Sequence, residues 1–340
     1  MIQLIRGINL GGFLSQCVHT RAHYDSFIVR YDIKKIKDMG YDHVRLPIDY
    51  EVFETEDGER IDEGYKRVHE IIGWTREYEL PVILDLHKAY GYDFNDAGDD
   101  AKNRLFSDES VQDRFVRLWE SIATEYVRYD NVAFELLNEV VEDKNADAWN
   151  GLIARTLSTI RGIAPDTPVI YGGIKWNSAD TIRLLSPVTD PNVIVTFHFY
   201  EPLVFTHQHA HWMSCMEEIG DISYPDTMEK YIHASKILGG QGDTVLASKC
   251  GRMDIEYLRE MVKVAVDSAK EIGSQHIYVG EYGVIDQAPA SDMLRWFSDT
   301  IQVFLENDIG CALWSYKQMD FGIDLWDTTT SQKLVELTRR

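Results

Sequence analysis

A chain of 340 residues with 44% hydrophobic and 26% charged side chains has the composition of a globular protein with a sizeable core. Its formal charge of −22 would repel nucleic acids and anionic membrane surfaces, and it suits a neutral substrate better than an anionic one. The four cysteines (Cys17, Cys215, Cys250 and Cys311) have no short regular spacing, which indicates free thiols rather than a disulfide framework or a zinc site.

The N-terminal segment contains no apolar stretch typical of a signal peptide, and no segment approaches the ~20 apolar residues of a membrane-spanning helix. A cytoplasmic location is therefore the default expectation, and an extracellular one applies if an export signal has been removed. We expect a monomer, with neither a membrane nor a nucleic acid as partner.

Short apolar runs of strand length alternate with amphipathic helical patterns along the chain. The predicted strands are residues 4–10, 43–47, 81–87, 132–139, 168–173, 193–200, 276–283 and 310–316. Repeated strand–helix units call for parallel strands joined by right-handed crossovers. The first strand–helix turn lacks the glycine spacing of a dinucleotide-binding fingerprint, so the pattern predicts a closed (β/α)8 TIM barrel rather than an open doubly wound sheet.

One interval is longer than a regular barrel requires. The three strand–helix units between Glu139 and Glu281 hold roughly 50 residues more than a barrel of ~250 residues allows. The surplus falls in residues 201–255. We therefore predict a single domain, residues 1–340, with an inserted subdomain after the sixth strand at the mouth of the barrel, where long loops usually serve binding.

Polar and aromatic side chains collect at the C-terminal ends of the predicted strands, which is the face where TIM barrels carry their active sites. They are Arg45, His87, Asn138, Glu139, His198, Tyr200, Glu281 and Trp314. A single such residue is often only a cap or a satisfied loop contact. Their recurrence at one strand end after another predicts a working site at the mouth.

Two of these residues, Glu139 and Glu281, lie at the C-terminal ends of the fourth and seventh strands and would face each other across the mouth. Paired carboxylates supply the acid and the base or nucleophile that glycosidic cleavage needs. A separation of about 5–5.5 Å gives retention of configuration and ~6.5–9.5 Å gives inversion. The sequence leaves this separation open.

Seven motifs together resemble glycoside hydrolase family 5, of the clan A (β/α)8 glycosidases, and in particular its compact bacterial endo-β-1,4-glucanases of the clostridial cellulase C type. They are GINLGG, HVRLPID, LDLHKAYG, AFELLNEV, FHFYEP, GEYGV and ALWSYK. The resemblance covers nearly the whole chain, including FTHQHAHW at residues 205–212. Its strongest part is the order and spacing of LNE at the fourth strand and GEYG at the seventh.

The resemblance implies a retaining double displacement, with Glu139 as the acid/base and Glu281 as the nucleophile. Asn138 would hydrogen-bond the 2-hydroxyl of the sugar. Arg45 would lie beneath Glu281 and favour its ionised form by charge and hydrogen bonding.

The other strand-end residues receive supporting roles from the same resemblance. Tyr200 would orient Glu281, and His198 would lie beside the acid/base. His87 matches the histidine of the family's third strand, and Trp314 would form the floor under the sugar at the cleavage site.

Further candidates for substrate binding lie outside the strand ends. Trp176 and Trp212 could stack on the apolar face of a sugar, and His207 could hydrogen-bond substrate or brace its loop. Lys88 and Tyr90 depart from the histidine and proline that many relatives carry there. These two departures leave the exact glycan open.

The favoured function is retaining hydrolysis of β-1,4 linkages in soluble cellulose-type or mixed-linkage β-glucans, with no cofactor. A β-1,3-glucanase, a mannanase, a xylanase or an exo-β-glucosidase stays open, because the insertion could flank an open groove or close one end of it. A metal-dependent hydrolase is less favoured, since the alternating His207, His209 and His211 lie in the insertion rather than on rigid strand ends. A non-catalytic glycan-binding barrel would lack one of the two glutamates, and both are present.

Overall fold

The computed structural model describes residues 2–339, which form a barrel of eight parallel strands. The described residues contain ten strands, of which all but β7 and β8 belong to the barrel. They are β1 (Arg6–Asn9), β2 (His43–Asp49), β3 (Val82–Lys88), β4 (Val132–Glu135), β5 (Val169–Gly172), β6 (Val193–Phe199), β7 (Asp226–Thr227), β8 (Arg252–Met253), β9 (Ile277–Tyr282) and β10 (Gly310–Leu313). The barrel closes in the order β1, β10, β9, β6, β5, β4, β3, β2, while β7 and β8 form a separate antiparallel pair. The predicted (β/α)8 TIM barrel is confirmed.

Helices surround the barrel. Within residues 2–339 they are α1 (Arg21–Ser26), α2 (Arg30–Met39), α3 (Asp62–Glu77), α4 (Glu109–Tyr126), α5 (Ala146–Ile163), α6 (Leu203–Thr206), α7 (Met216–Ile219), α8 (Met228–Ile237), α9 (Asp243–Ala247), α10 (Ile255–Glu271), α11 (Ala290–Glu306) and α12 (Thr328–Thr338). None of these helices is both long enough and apolar enough to cross a membrane.

The connection between β5 and β6 breaks the predicted strand–helix alternation. It contains a six-residue 3-10 helix, Ala179–Leu184, where the other barrel crossovers contain an α-helix. Residues 175–177 of this connection have φ values between 50° and 57°, so they turn sharply at the mouth.

Two strands end at least three residues earlier than predicted. β4 ends at Glu135 and β10 at Leu313, so Asn138, Glu139 and Trp314 lie in the chain just beyond them. Glu139 has a φ of 37°, in the left-handed region, and extended strand geometry cannot continue through it. The apolar run in the sequence concealed this departure.

Strand β2 ends later than predicted. It runs past Pro47 to Asp49, because Asp49 still pairs with Lys88 of β3. Arg45 is therefore the third residue of the strand rather than a residue near its end. Its side chain is fully buried.

The barrel interior changes from apolar to polar toward the mouth. Alternate residues of a strand share a face, so Asp85 lies one level above Ile83, and Glu135 lies one level above Ala133. Ile83 and Ala133 belong to a small apolar cluster that also contains Ile170, Ile194, Tyr278 and Ala312. The polar level above this cluster positions the site described below.

Residues 201–254 lie between β6 and α10 and contain α6 to α9 together with the β7–β8 pair. Hydrogen bonds tie this region to the barrel. The carboxylate of Glu201 accepts from the Tyr257 hydroxyl at 2.7 Å, and the Tyr224 hydroxyl donates to Asp299 at 3.1 Å. The Thr206 carbonyl accepts from the Ile285 amide just after β9, which holds the start of the region against the C-terminal ends of β6 and β9.

Candidate active site

The buried guanidinium of Arg45 lies at the centre of the site. Its Nε and Nη2 donate to the two carboxylate oxygens of Glu135 at 2.7 and 3.0 Å, which is a bidentate pair. Its Nη1 donates to Glu281 Oε1 at 2.8 Å. One cation therefore holds a carboxylate from β4 and a carboxylate from β9.

Arg45 contacts three further side chains. Its Nη2 lies 3.0 Å from Asp85 Oδ2 and donates to Asn138 Oδ1 at 3.0 Å, and its Nη1 donates to Asn9 Oδ1 at 3.0 Å. Three carboxylates thus share one positive charge in the barrel interior. Burial, opposed by Arg45 and reinforced by Asp85, raises the pKa of Glu135 to about 7.

Asp85 also interacts with His87. Asp85 Oδ2 lies 2.7 Å from His87 Nδ1. Burial by itself would lower the pKa of His87, but the charge and hydrogen bond of Asp85 and the charge of Glu281 outweigh it, so that this pKa is raised. The ring of His87 lies parallel to Trp314, with centroids 5.7 Å apart and an interplanar angle of 6°.

Glu139 and Glu281 face each other with His198 between them. One carboxylate oxygen of each glutamate and one nitrogen of His198 all lie within 4.8 Å of one another. His198 Nδ1 is 2.7 Å from Glu139 Oε1 and 3.7 Å from Glu281 Oε2. The two carboxylates belong to one cavity and share the same histidine neighbour.

The two glutamates differ in their hydrogen-bond donors and in the effect of burial on their side chains. Burial raises the pKa of Glu139 to about 7, despite opposing effects of the charges on His87 and Arg45. Glu281 instead has two direct donors, Arg45 Nη1 at 2.8 Å and the Tyr200 hydroxyl at 3.0 Å. Glu139 therefore keeps its proton to a higher pH than an ordinary glutamate, whereas each oxygen of Glu281 accepts a hydrogen bond from a neighbouring side chain.

The side chain of His198 is neutral at neutral pH, because burial lowers its pKa to about 4. The amide Nδ2 of Asn177 donates to its Nε2 at 3.4 Å. The ring proton of a neutral His198 therefore resides on Nδ1, which points at Glu139 Oε1.

An aromatic path leads from the Glu281 side of the site to the surface. The ring of His207 lies 4.9 Å from Tyr200 and 6.2 Å from Trp212, and Phe321 packs against both His207 and Trp212. Trp212 is 49% exposed. Burial lowers the pKa of His207 to about 3, so this ring is also neutral.

Trp176 lies on the other side of the site. Its backbone amide donates to the Val140 carbonyl at 3.2 Å, immediately after Glu139, and its side chain is 38% exposed. Ten of the eleven residues predicted from the sequence for catalysis or substrate binding thus lie near the C-terminal ends of the strands or in the loops that follow them. Arg45 lies lower, inside the barrel, and reaches the site through its contacts with Glu281 and Asn138.

A model of the cellulase family, glycosyl hydrolase family 5, matches residues 8–320 of the chain. The chain belongs to glycosyl hydrolase family 5. The family predicted from the seven motifs is confirmed, and the chain is a glycosidase.

Similar proteins within this family cover the chain almost completely. Endoglucanase C of Acetivibrio thermocellus is 36% identical over 100% of this chain and 99% of its own length. Cellodextrinase A of Ruminococcus flavefaciens is 38% identical over 90% of this chain and 83% of its own. The endoglucanase Cel5A of Thermotoga maritima has a solved structure that is 26% identical, with a TM-score of 0.75 over 98% of this chain and 96% of that one. Another structure of Cel5A, with the same TM-score and identity, is described as a complex with a mannotriose substrate.

Several residues that hold the site of this family 5 chain together were not among the candidates predicted from its sequence. Asp85, Glu135 and Asn9 all contact Arg45 within the barrel, but none of them is the last residue of a predicted strand. The period-2 pattern offers a signal, since Asp85 precedes His87 by two residues and so shares its face. Asn177 carries no such signal, because its contact with His198 depends on the turn at residues 175–177.

Two groups of three metal-type ligands occur within residues 2–339, and neither contains His207, His209 or His211. One is Glu139, His198 and Glu281, beside the guanidinium of Arg45. The other is His19, Asp49 and Glu51. In that group His19 Nε2 is 3.2 Å from Asp49, and the Lys88 ammonium donates to Glu51 at 2.7 Å. In each group a cationic side chain already balances carboxylate charge, so the donor sets do not suit a metal ion.

Replacement of Arg45 by methionine should strongly destabilise this family 5 enzyme. Asp85 and Glu135 would remain in the barrel without their countercharge, and removal of one partner of a buried ion pair costs about 3–5 kcal/mol. The free energy of unfolding, measured in urea, should fall by that amount.

Arg259→Met is the matched control. Arg259 makes the same bidentate contact with Glu306, at 2.7 and 2.9 Å, but this pair is at the surface. Its removal should change the free energy of unfolding little, because solvent screens such pairs. Equal losses in the two variants would contradict the central role of Arg45.

Proposed function

We propose that this chain is an endo-acting β-1,4-glucanase that hydrolyses soluble cellulose-type or mixed-linkage β-glucans with retention of configuration. The geometry of Glu139 and Glu281 carries the proposal, because oxygens of the two carboxylates lie within 4.8 Å. That separation is close to the ~5–5.5 Å of retaining glycosidases and short of the ~6.5 Å at which an inverting enzyme makes room for water.

In the first step Glu281 attacks the anomeric carbon of the sugar. A bond forms between that carbon and a Glu281 oxygen while the glycosidic bond breaks, and the Glu139 proton passes to the departing oxygen. Arg45 and Tyr200 hold Glu281 in place through the hydrogen bonds to its two oxygens. The raised pKa of Glu139 supports its role as the acid, since about half of the molecules still hold this proton at pH 7, where an ordinary glutamate has lost it.

In the second step water replaces the leaving group. Glu139, now ionised, takes a proton from the water as the water oxygen attacks the anomeric carbon, and the bond to Glu281 breaks. His198 Nδ1 donates to Glu139 Oε1 at 2.7 Å, which leaves Oε2 to carry the transferred proton in both steps. Neutral His198 therefore orients the acid/base without competing for its proton.

Asn138 is suited to the 2-hydroxyl of the sugar that is attacked. Its Oδ1 is fixed by Arg45 at 3.0 Å, while its Nδ2 is buried and has no hydrogen-bond partner among the described residues. A buried donor without a partner costs free energy that a sugar hydroxyl would recover. This supports the predicted role of Asn138.

We propose that Trp314 is the floor under the sugar at the cleavage site, with His87 beside it, and that Trp212 and Trp176 extend the binding surface. The exposed indole of Trp212 continues the aromatic path from Tyr200 through His207, so a polymer could lie along it. The names of the similar proteins, Endoglucanase C and Cellodextrinase A, support a β-glucan substrate.

A neutral polysaccharide suits the formal charge of −22. We propose that the chain acts as a monomer and that neither nucleic acid nor membrane is its partner.

The roles of the two glutamates can be separated by mutation. Glu281→Gln should be nearly inactive on every substrate, because the nucleophile is lost. Glu139→Ala should lower kcat/KM on cellopentaose by about 10²–10⁴-fold but spare a dinitrophenyl cellobioside, whose leaving group needs no proton. Azide should raise the turnover of Glu139→Ala on that activated substrate. The exposed Glu271→Gln serves as the control, and equal losses on both substrates in Glu139→Ala would contradict the acid/base role.

The pH dependence should show the same division. Glu139 donates a proton, so kcat/KM on cellopentaose should decline as pH rises through its pKa of about 7. The decline should be much weaker on the dinitrophenyl cellobioside. If the basic limb is identical for the two substrates, the pKa that produces it belongs to a group other than Glu139.

The substrate can be tested by the release of reducing sugar from carboxymethyl-cellulose, lichenan, laminarin, mannan and xylan, with product lengths resolved. We expect short mixed oligomers from carboxymethyl-cellulose and lichenan and little release from laminarin or xylan. Mannan tests the activity suggested by the mannotriose complex of Cel5A. Release of single glucose units alone would contradict endo cleavage.

A further inference from the structure

The backbone at Glu139 adopts a conformation that an L-residue rarely takes. Its φ of 37° lies in the left-handed region, which favours glycine and asparagine over glutamate. Such a conformation persists only where surrounding contacts hold it. The contacts that hold Glu139 therefore decide where its carboxyl group points.

The hydroxyl of Tyr92 makes two hydrogen bonds to this segment. It donates to the carbonyl of Glu139 at 2.7 Å and accepts from the amide of Val141 at 2.9 Å. Tyr92 is 2% exposed, and burial raises the pKa of its hydroxyl, which therefore keeps its proton at every pH of interest. One buried hydroxyl thus spans the turn that begins at Glu139.

Tyr92 is itself firmly placed. Tyr92 and Ala89, just after β3, form an isolated antiparallel β-bridge in which each amide donates to the carbonyl of the other residue, at 3.0 and 3.1 Å. Gly91 lies between them and has a φ of 74°. The Gly91 carbonyl accepts from the Leu105 amide, and the Phe106 ring packs against Tyr92 with centroids 5.2 Å apart. These contacts fix the position of the Tyr92 hydroxyl beside the segment that follows β4.

On its opposite side, the segment after Glu139 is held by backbone hydrogen bonds. The amides of Trp176 and Lys175 donate to the carbonyls of Val140 and Val141, both at 3.2 Å. These bonds fix the residues after Glu139 but not its own carbonyl. Tyr92 is the side chain that fixes the Glu139 carbonyl.

We propose that Tyr92 is a positioning residue for the acid/base, which holds the backbone of Glu139 in its left-handed conformation and so directs the carboxyl toward the departing oxygen. This inference rests on the proposed function. It concerns only proton transfer, because Glu281 is held independently by Arg45 and Tyr200.

Removal of the hydroxyl would leave the Glu139 carbonyl and the Val141 amide without their partner in a buried place. The turn would then relax toward an ordinary conformation and carry the Glu139 carboxyl away from its position. The carboxyl would also lose part of the burial that raises its pKa. The nucleophile and its donors would remain as they are.

The test is Tyr92→Phe, assayed on cellopentaose and on 2,4-dinitrophenyl β-cellobioside. We use kcat/KM because it reports the first step, in which only cellopentaose needs the proton from Glu139. On cellopentaose it should fall roughly 10–100-fold, and on the dinitrophenyl substrate less than about threefold. The ratio of the two values is independent of the fraction of protein that is folded, so loss of stability cannot produce the result.

The pH profile gives a second readout. A less buried Glu139 has a lower pKa, so the basic limb of kcat/KM on cellopentaose should move to lower pH in Tyr92→Phe. Tyr126→Phe is the matched control, since the buried Tyr126 hydroxyl also donates to a backbone carbonyl, that of Tyr65 at 3.1 Å. It should leave both the ratio and the profile unchanged.

Two outcomes would overturn the inference while the proposed function stands. They are a Tyr92→Phe enzyme with an unchanged ratio, and an equal fall on the two substrates. A wild-type enzyme without activity on either substrate would instead overturn the proposed function itself. The experiment therefore distinguishes the two failures.

Discussion

The buried charge of Arg45 is the constraint on which the site depends. A guanidinium without exposure to water is stable only if carboxylates surround it, and here Asp85, Glu135 and Glu281 do so from three different strands. Closure of the barrel brings these distant parts of the chain together, because their side chains point into its interior. The ion cluster therefore depends on the barrel closure.

Two similar carboxyl groups acquire different properties from this environment. Each oxygen of Glu281 accepts a hydrogen bond from a side chain. Glu139 is buried beside a neutral histidine, and this burial raises its pKa to about 7. This difference in environment supports the roles proposed for them, Glu281 as nucleophile and Glu139 as acid/base. The turn at Glu139 adds a second level of control, because its orientation depends on backbone contacts from Tyr92 and from residues 175–177.

Much of the fold and of the site could be predicted from the chain alone, for identifiable reasons. Apolar runs of strand length between helical patterns indicate parallel strands, and strands of that number favour closure. His87, His198 and Glu281 lie near the ends of their strands, where the barrel rule places functional groups. Asp85 was missed because that rule considers only the strand ends and Asp85 acts one level lower. Glu135 was missed because β4 was predicted to run on to residue 139, although it ends at Glu135. Strand β4 was predicted too long because Leu136 and Leu137 remain buried after the strand geometry ends.

The sequence by itself determined the order of the barrel strands and the family, and it singled out the two glutamates as candidates, since all of these follow from periodicity and local motifs. The tertiary structure alone decided the distance between the glutamates, the division of charge around Arg45 and the contacts of Tyr92 and Asn177. Each of these depends on side chains far apart in the chain. Hydrogen bonding and desolvation act over a few ångströms in space, and no local pattern records which residues folding will bring that close.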